Sequence, residues 1–203
     1  MPDISVNGVP IHYERTGGHG PALVLLHGLT DSGQCWPRLV EALRGAYDII
    51  TPDARAHGCS QAPDSGYSYP VMAADVAALI EALGLKPAAL VGHSMGAMTA
   101  ALVAANHGAV VRCIILEDPP WYETMPSAEQ RTVAADGWQT MIRGMQRASA
   151  EQLLSSATQR NPGMRQWDAV ELAPWRDAKR QVSLKIVDLL RAAPIGYHEI
   201  VPR

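Results

Sequence analysis

Four short apolar runs, separated by polar and helical patterns, constrain most strongly what this chain can fold into. They span residues 22–26, 47–51, 88–91 and 110–116. Runs of this length without polar alternation are typical of strands covered on both faces. Between the second and third runs, apolar residues from Met72 to Leu83 recur at helical spacing, and Gly84 follows as a helix stop. Strand, helix and strand in this rhythm predict a parallel sheet with right-handed crossovers.

The two ends of this alternating region differ from its middle. At the start, segments 3–6 and 9–14 flank Asn7-Gly8, a dipeptide that favours a tight β-hairpin turn. After Pro119-Pro120, residues 127–191 contain only helical patterns, and two helices open with the Ser-x-x-Gln spacing of a capping box. We therefore predict an incomplete core at 1–120, a helical cap at 121–192, and a linker at 193–203 that leads toward further core strands.

Composition narrows the class of protein. The 203 residues are 47% hydrophobic with a net charge of -3. This suits one globular domain, alone or with a small appendage, and the charge provides no basic stripe of the kind that binds nucleic acid. The amino terminus lacks signal-peptide features, and no apolar run approaches bilayer length. We expect a cytoplasmic protein with a small-molecule substrate and no nucleic-acid or membrane partner. Cys35, Cys59 and Cys113 lack paired spacing, so we expect reduced thiols and no metal or cofactor.

The stretch VGHSMGA, residues 91–97, places Ser94 between Gly92 and Gly96 at a junction of strand and helix. This is the context of a G-x-S-x-G nucleophile elbow, in which the serine occupies a strained turn. Side chains two residues before and after the serine would collide with the neighbouring strand and helix, which explains the glycines. The start of the following helix directs unpaired N–H groups at the site.

Two further loops follow earlier strands of the predicted sheet. Residues 26–29 read LHGL, and residues 53–60 read DARAHGCS. Together with the elbow, these loops resemble the α/β-hydrolase family, in which an HG loop and a D-x-R-G-x-G-x-S loop follow successive strands. Ala56 stands where the family usually has glycine, which suggests a slightly different loop path. The resemblance covers residues 1–120 closely and implies an α/β-hydrolase-like, mostly parallel sheet with a helical cap.

The resemblance implies roles for individual residues. Ser94 would be the nucleophile, and the backbone N–H groups of Leu29 and Met95 would form the oxyanion hole. Relatives that open epoxides or displace halide use aspartate at the nucleophile position, so a serine favours acyl transfer on esters or related substrates. Five further residues are assigned to the substrate-binding region, where His27 shapes the loop, His93 packs the elbow, and the two aromatic residues either line the pocket or pack in the core. They are His27, Gly28, His93, Trp121 and Tyr122.

The rest of the catalytic triad is harder to place. The family draws its general base from a histidine after its last strand, and this sequence stops at Arg203, so we expect the last two strands to be missing. His57 is the best internal substitute, although the resemblance implies a structural role for it. Glu117 and Asp118 end the strand at 110–116 and are candidates for the acid, while Asp118 alternatively braces the entry to the cap.

Two classes of function remain open. In one, the chain is most of a serine hydrolase whose base comes from the intact protein or a partner chain. In the other, it is a ligand-binding member of the family or an inactive fragment. The last strand, at 110–116, would then be an exposed sheet edge, which favours self-association.

Overall fold

The computed structural model describes residues 3–122 and 124–200. Its centre is a six-stranded sheet with the order β1-β2-β4-β3-β5-β6. The strands are β1 (Asp3–Val6), β2 (Val9–Arg15), β3 (Ala22–Leu26), β4 (Asp48–Pro52), β5 (Ala88–His93) and β6 (Val111–Glu117). The last four are mutually parallel, whereas β2 pairs antiparallel with β1 and β4. The predicted mostly parallel sheet is confirmed, with strand bounds that differ from the prediction by one or two residues.

The hairpin at the start of the chain depends on its two turn residues. Asn7 and Gly8 have φ angles of 50° and 78°, the left-handed region that asparagine and glycine tolerate. The register that follows pairs Val6 with Val9, and both side chains are buried in the core.

Helices cover the two faces of the sheet unequally. On one face lie α2 (Tyr69–Ala82) and α3 (Met95–Asn106), which bury the largest apolar cluster of the protein against β3, β4 and β5. On the other face, α1 (Pro37–Leu43) packs on Leu23, Leu25 and Ile49. The sheet therefore positions the ends of β3, β4 and β5 at one edge, between two helical layers.

Residues 128–191 are helical, as predicted, and are here called the helical region. Its α-helices are α4 (Ala128–Arg147), α5 (Ala150–Arg160), α6 (Ala169–Gln181) and α7 (Asp188–Arg191). The capping boxes at Ser127 and Ser149 are confirmed, because each side chain accepts the N–H of the glutamine three residues later. Side chains of the helical region such as Ile142 and Ile186 pack with Met72 and Met95 of the core, which places this region over the carboxyl edge of the sheet.

Strand β6 is the exposed edge of the sheet. Only β5 pairs with it among the described strands, and the side chain of Ile115 is 62% exposed. The segment predicted as a linker differs from the expectation, because α8 (Tyr197–Ile200) buries Ile200 in the main core cluster. Burial of this apolar side chain against the helices that cover the sheet removes it from water and is favourable. Positions 201–203 lie outside the described residues.

Within the described ranges, none of the helices is long and apolar enough to cross a membrane.

Candidate active site

Ser94 occupies the sharp turn between β5 and α3. Its backbone angles are φ 51° and ψ -111°, a conformation that costs free energy for a residue with a side chain. A Cβ on Gly92 would lie 2.3 Å from the carbonyl oxygen of Gly96, and a Cβ on Gly96 would lie 2.1 Å from the carbonyl oxygen of Leu26. Both glycines are therefore required by close approach of backbone, as expected of an elbow.

Backbone hydrogen bonds hold the elbow in place. Ser94 donates its N–H to the carbonyl of Glu117 on the neighbouring strand at 2.8 Å, and its own carbonyl accepts the N–H of Ala97 at 3.0 Å. Met95 is the first residue of α3, so its N–H has no acceptor within the helix. The elbow thus presents a serine hydroxyl beside a helix N-terminus.

The loop that follows β3 is braced by two buried histidines. The Nδ1 of His27 donates to the carbonyl of Gly28 at 2.8 Å, because its Nε2 accepts the N–H of Ala54 at 3.0 Å. His57 places Nε2 against the carbonyl of Leu29 and Nδ1 3.0 Å from the carbonyl of Arg55. Both imidazoles therefore join the loop after β3 to the loop after β4.

Burial dominates the protonation of these groups. It lowers the pKa of His57 to about 4, with the neighbouring His27 adding to the effect, and it lowers the pKa of His27 as well. A buried histidine without a carboxylate partner favours its neutral form because a charged ring loses hydration. Both rings are therefore neutral braces at pH 7.

A lysine from the helical region also holds the loop after β3. Lys179 of α6 is 5% exposed; its ammonium donates to the carbonyl of Thr30 at 3.0 Å and pairs with the carboxylate of Asp31. Burial raises the pKa of Asp31, but the Lys179 ammonium and, to a smaller extent, His27 and His93 lower it, so the pKa lies below its ordinary value. The sequence gives no signal that Lys179 and Asp31 belong to the site, because a lysine on a helix that contacts the core looks the same in sequence as a solvated lysine.

The loop at 53–60 is built around Asp53. Its Oδ1 accepts the N–H of Gly33 at 2.7 Å, and its Oδ2 accepts the N–H of Cys59 at 2.8 Å. In the same loop, Arg55 forms a buried ion pair with Asp75 at 2.6 Å. Ala56 has a φ of 66°, the left-handed region that favours glycine, and it is buried. This backbone conformation accounts for the family's preference for glycine there.

A cleft of about 790 Å³ separates the helical region from the core. It reaches the elbow at His93, whose Nδ1 lies 3.9 Å from Asp31 Oδ2. Of the residues singled out from the sequence, the structure brings four to this cleft, and the helical region adds three tryptophans. They are His27, Gly28, His93, Glu117, Trp138, Trp167 and Trp175. Leu29, Ser94 and Met95 are not among the described residues that line the cleft, although Leu29 and Ser94 each adjoin a lining residue in the chain.

Three other candidates lie at the entry to the helical region. Asp118 is exposed and has a φ of 49°. Trp121 is 36% exposed and its ring lies 6.5 Å from that of Tyr197, and Tyr122 is partly buried. The structure does not bring these three side chains to the cleft, and their proposed roles stay predictions.

Comparison with known proteins decides the family. A sequence model described as the alpha/beta hydrolase fold matches residues 21–164. The chain belongs to the α/β-hydrolase fold family. The fold implied by the three loops is thereby confirmed, and the mostly parallel sheet with its helices is this family's architecture in the present chain.

Several relatives within the α/β-hydrolase family are named enzymes. N-formylmaleamate deformylase of Pseudomonas putida is 36% identical over 150 residues, which cover 66% of this chain and 55% of the relative. The sn-1-specific diacylglycerol lipase of Xenopus tropicalis is 33% identical over 199 residues, covering 90% of this chain and 61% of the relative. A crystal structure of N-formylmaleamic acid deformylase from Pseudomonas putida S16 superposes with a TM-score of 0.74 at 25% identity, covering 94% of this chain and 71% of that one. The matched part of this chain thus covers less than two thirds of the length of each of these two sequence relatives.

Proposed function

We propose that this chain carries the nucleophile and oxyanion hole of a serine hydrolase that acts by acyl transfer on an ester-like or related small-molecule substrate. The observation that supports this most is the left-handed backbone of Ser94 between two glycines that have no room for a side chain. Strain of this kind persists where the surrounding structure enforces it, and it is concentrated at functional sites. A structural serine at a strand-to-helix junction has no need of such a conformation.

In the proposed reaction, the Oγ of Ser94 attacks the carbonyl carbon of the substrate and negative charge develops on the carbonyl oxygen. The N–H groups of Met95 and Leu29 would donate to that oxygen. Such donors stabilise the transition state most when they are held in place beforehand, and loss of one typically slows the reaction about 100 to 1000-fold. The bracing of Leu29 by His57 and of the adjoining Thr30 by Lys179 supports this role for the loop.

The general base is not supplied by the two buried histidines in this proposal. Each of them has both ring nitrogens in contact with backbone groups, so neither is available to accept the proton of Ser94. Glu117 lines the cleft and Asp118 ends the same strand, so both remain candidates for the acid that orients a histidine. We expect the intact protein or a partner chain to contribute the base.

The cleft and two of the relatives support this substrate class. A deformylase and a lipase both transfer an acyl group to water, which is the chemistry that a serine nucleophile suits. The four tryptophans that line the cleft, Trp36 from the core and three from the helical region, provide apolar surface for the body of a small molecule. The helical region would then act as a cap that closes over the acyl group.

Labelling with a fluorophosphonate probe tests the nucleophile separately from turnover. We expect slow modification of Ser94, located by peptide mass spectrometry, and none in Ser94→Ala. Ser155→Ala is the matched control, because Ser155 is an exposed serine of α5 and its loss should change nothing. Labelling that persists in Ser94→Ala, or that never occurs in the parent, would favour the alternative of a ligand-binding or inactive member of the family.

Hydrolysis of p-nitrophenyl acetate tests whether these residues supply their own base. Triad members act as a unit, so Ser94 without a histidine as its base should turn over about a million-fold more slowly than a complete triad. We expect little steady turnover from the 203 residues alone. A fast burst and steady rate abolished by Ser94→Ala would show that the base lies within this chain after all.

A further inference from the structure

Three side chains with metal-binding atoms meet at the loop that follows β4. A ring nitrogen of His12, a carboxylate oxygen of Asp53 and the Sγ of Cys59 all lie within 4.8 Å of one another. His12 comes from β2, and Asp53 and Cys59 both come from the loop at 53–60, which follows β4. None of the three lines the cleft described above.

The imidazole of His12 has one nitrogen satisfied and the other not. Nδ1 lies 2.9 Å from Oδ1 of Asp3, so the neutral ring carries its proton there and leaves a lone pair on Nε2. His12 is 6% exposed, and its buried Nε2 has no hydrogen-bond partner among the described residues. A buried polar atom without a partner costs free energy, and in native proteins it calls for an explanation such as an ion.

The pairing of His12 with Asp3 is itself informative. Histidines that ligate a metal almost always donate their second ring N–H to a carboxylate, a backbone carbonyl or water, which fixes the tautomer and makes the ligating nitrogen more basic. The Asp3 carboxylate provides this outer contact and leaves Nε2 as the available ligand.

The other two ligands are held close by the backbone. Both oxygens of Asp53 already accept one N–H each, and each retains a second lone pair. A Cβ on residue 58 would lie 2.0 Å from Oδ2 of Asp53, so Gly58 allows the loop to close over the carboxylate. The N–H of Asp53 donates to the carbonyl of His12 at 2.9 Å, which joins two ligands directly.

We propose that His12, Asp53 and Cys59 form a zinc site with its fourth position open to water. A thiolate, an imidazole and a carboxylate together suit zinc better than the hard cations, which prefer oxygen ligands alone. Ligand atoms in a tetrahedral zinc site lie about 3.5 Å apart, from bond lengths of about 2.0 to 2.3 Å. Cys59 is exposed, so its side chain can move the required distance, and its thiol proton passes to solvent as the Zn–S bond forms.

The site would act on the loop that braces the proposed oxyanion hole. Between the two loop ligands, Ala54 donates its N–H to His27, and the carbonyl of Arg55 lies against His57. Zinc bound at both ends of this segment would therefore stabilise the native loop without touching a substrate.

Titration with Zn²⁺ after removal of bound metal by a chelator tests the site, with Co²⁺ as the spectroscopic probe. We expect one equivalent to bind, with the near-ultraviolet charge-transfer absorption of a cobalt thiolate. Loss of a ligand should cost more than the about 10 to 100-fold typical of losing an outer contact. Cys59→Ala should therefore lose the thiolate band and weaken zinc binding by at least about 100-fold, and Asp3→Asn by about 10-fold.

Cys113→Ala is the matched control, because Cys113 is also a free, exposed cysteine but lies on β6. It should bind both metals like the parent. Since both cysteines are exposed, neither variant should impair folding, which circular dichroism checks. Equal binding by Cys59→Ala and the parent, absence of a thiolate band in the parent, or equal losses in the two cysteine variants would overturn the proposal.

Discussion

Gly96 offers the sharpest test of the elbow, because an alanine there meets backbone that cannot rotate away. The added Cβ would lie 2.1 Å from the carbonyl oxygen of Leu26 and 2.4 Å from its carbonyl carbon. Ordinary carbon contacts begin near 3.5 Å, so α3 and β3 must separate by about 1 Å. Overpacking of this kind typically costs about 1 to 3 kcal/mol, and the upper part of that range applies because the obstacle is a strand of the central sheet.

Gly137 provides a control with the same chemical change. It lies on an exposed face in the interior of α4, and a Cβ there would meet nothing within 4 Å. Glycine costs a helix interior about 0.5 to 1 kcal/mol relative to alanine. Gly137→Ala should therefore stabilise the protein by that amount, and the two variants should differ by about 2 to 4 kcal/mol in free energy of unfolding.

Urea denaturation followed by tryptophan fluorescence and circular dichroism measures this difference. With a denaturant slope of about 2 kcal/mol per molar urea, the midpoints of the two variants should be separated by about 1 to 2 M. Gly92→Ala should lower the urea midpoint as Gly96→Ala does, because its Cβ would lie 2.3 Å from the carbonyl oxygen of Gly96. If Gly96→Ala unfolds at the midpoint of the parent, the close approach of α3 to β3 is not real and the reasoning on the elbow fails.

Three further predictions concern the helical region, pH and association. Lys179→Met should destabilise the protein by about 2 kcal/mol, because it leaves the carboxylate of Asp31, which is 20% exposed, without its partner, whereas Lys185→Met at an exposed pair should change the urea midpoint little. The pKa of His57 in the folded protein, about 4, lies below the ordinary value near 6.5. As the pH falls, His57 therefore binds its proton in the unfolded chain before it does so in the folded protein. Stability should therefore fall by about 3 kcal/mol from pH 6.5 to 4, and urea midpoints independent of pH would contradict this. Ile115, 62% exposed on the edge strand, should support self-association that Ile115→Lys reduces; sedimentation of the parent as a monomer at high concentration would refute it.

The features that could be predicted from the sequence are those encoded by neighbouring residues. The hairpin follows from Asn7-Gly8, the capping boxes from pairs three residues apart, and the elbow from the glycines that flank Ser94. In each case the physical cause is local, whether a positive φ, a side chain that reaches a nearby N–H, or a steric conflict across one turn. The buried strands were recognisable for a related reason, since burial on both faces leaves an uninterrupted apolar run.

Features that depend on distant contacts could not be predicted. Asp31 and Lys179 are 148 residues apart in the chain, and only packing of α6 on the core brings them together. The grouping of His12 with Asp53 and Cys59 has the same origin, because β2 and β4 pair only in the folded sheet. The expectation of no metal rests on the spacing of the cysteines alone, and the proposed zinc site departs from it; the metal titration tests which of the two holds.

The contact of Lys179 with Thr30 and Asp31 also has a practical consequence for redesign. A library intended to change substrate range would naturally randomise the cleft-facing positions of the helical region, including Trp138 and Trp175. Position 179 belongs to the same surface but supports the main chain on the opposite wall. Libraries that preserve this one lysine should contain more folded members, and any altered selectivity recovered from them can then be ascribed to the shape of the cleft.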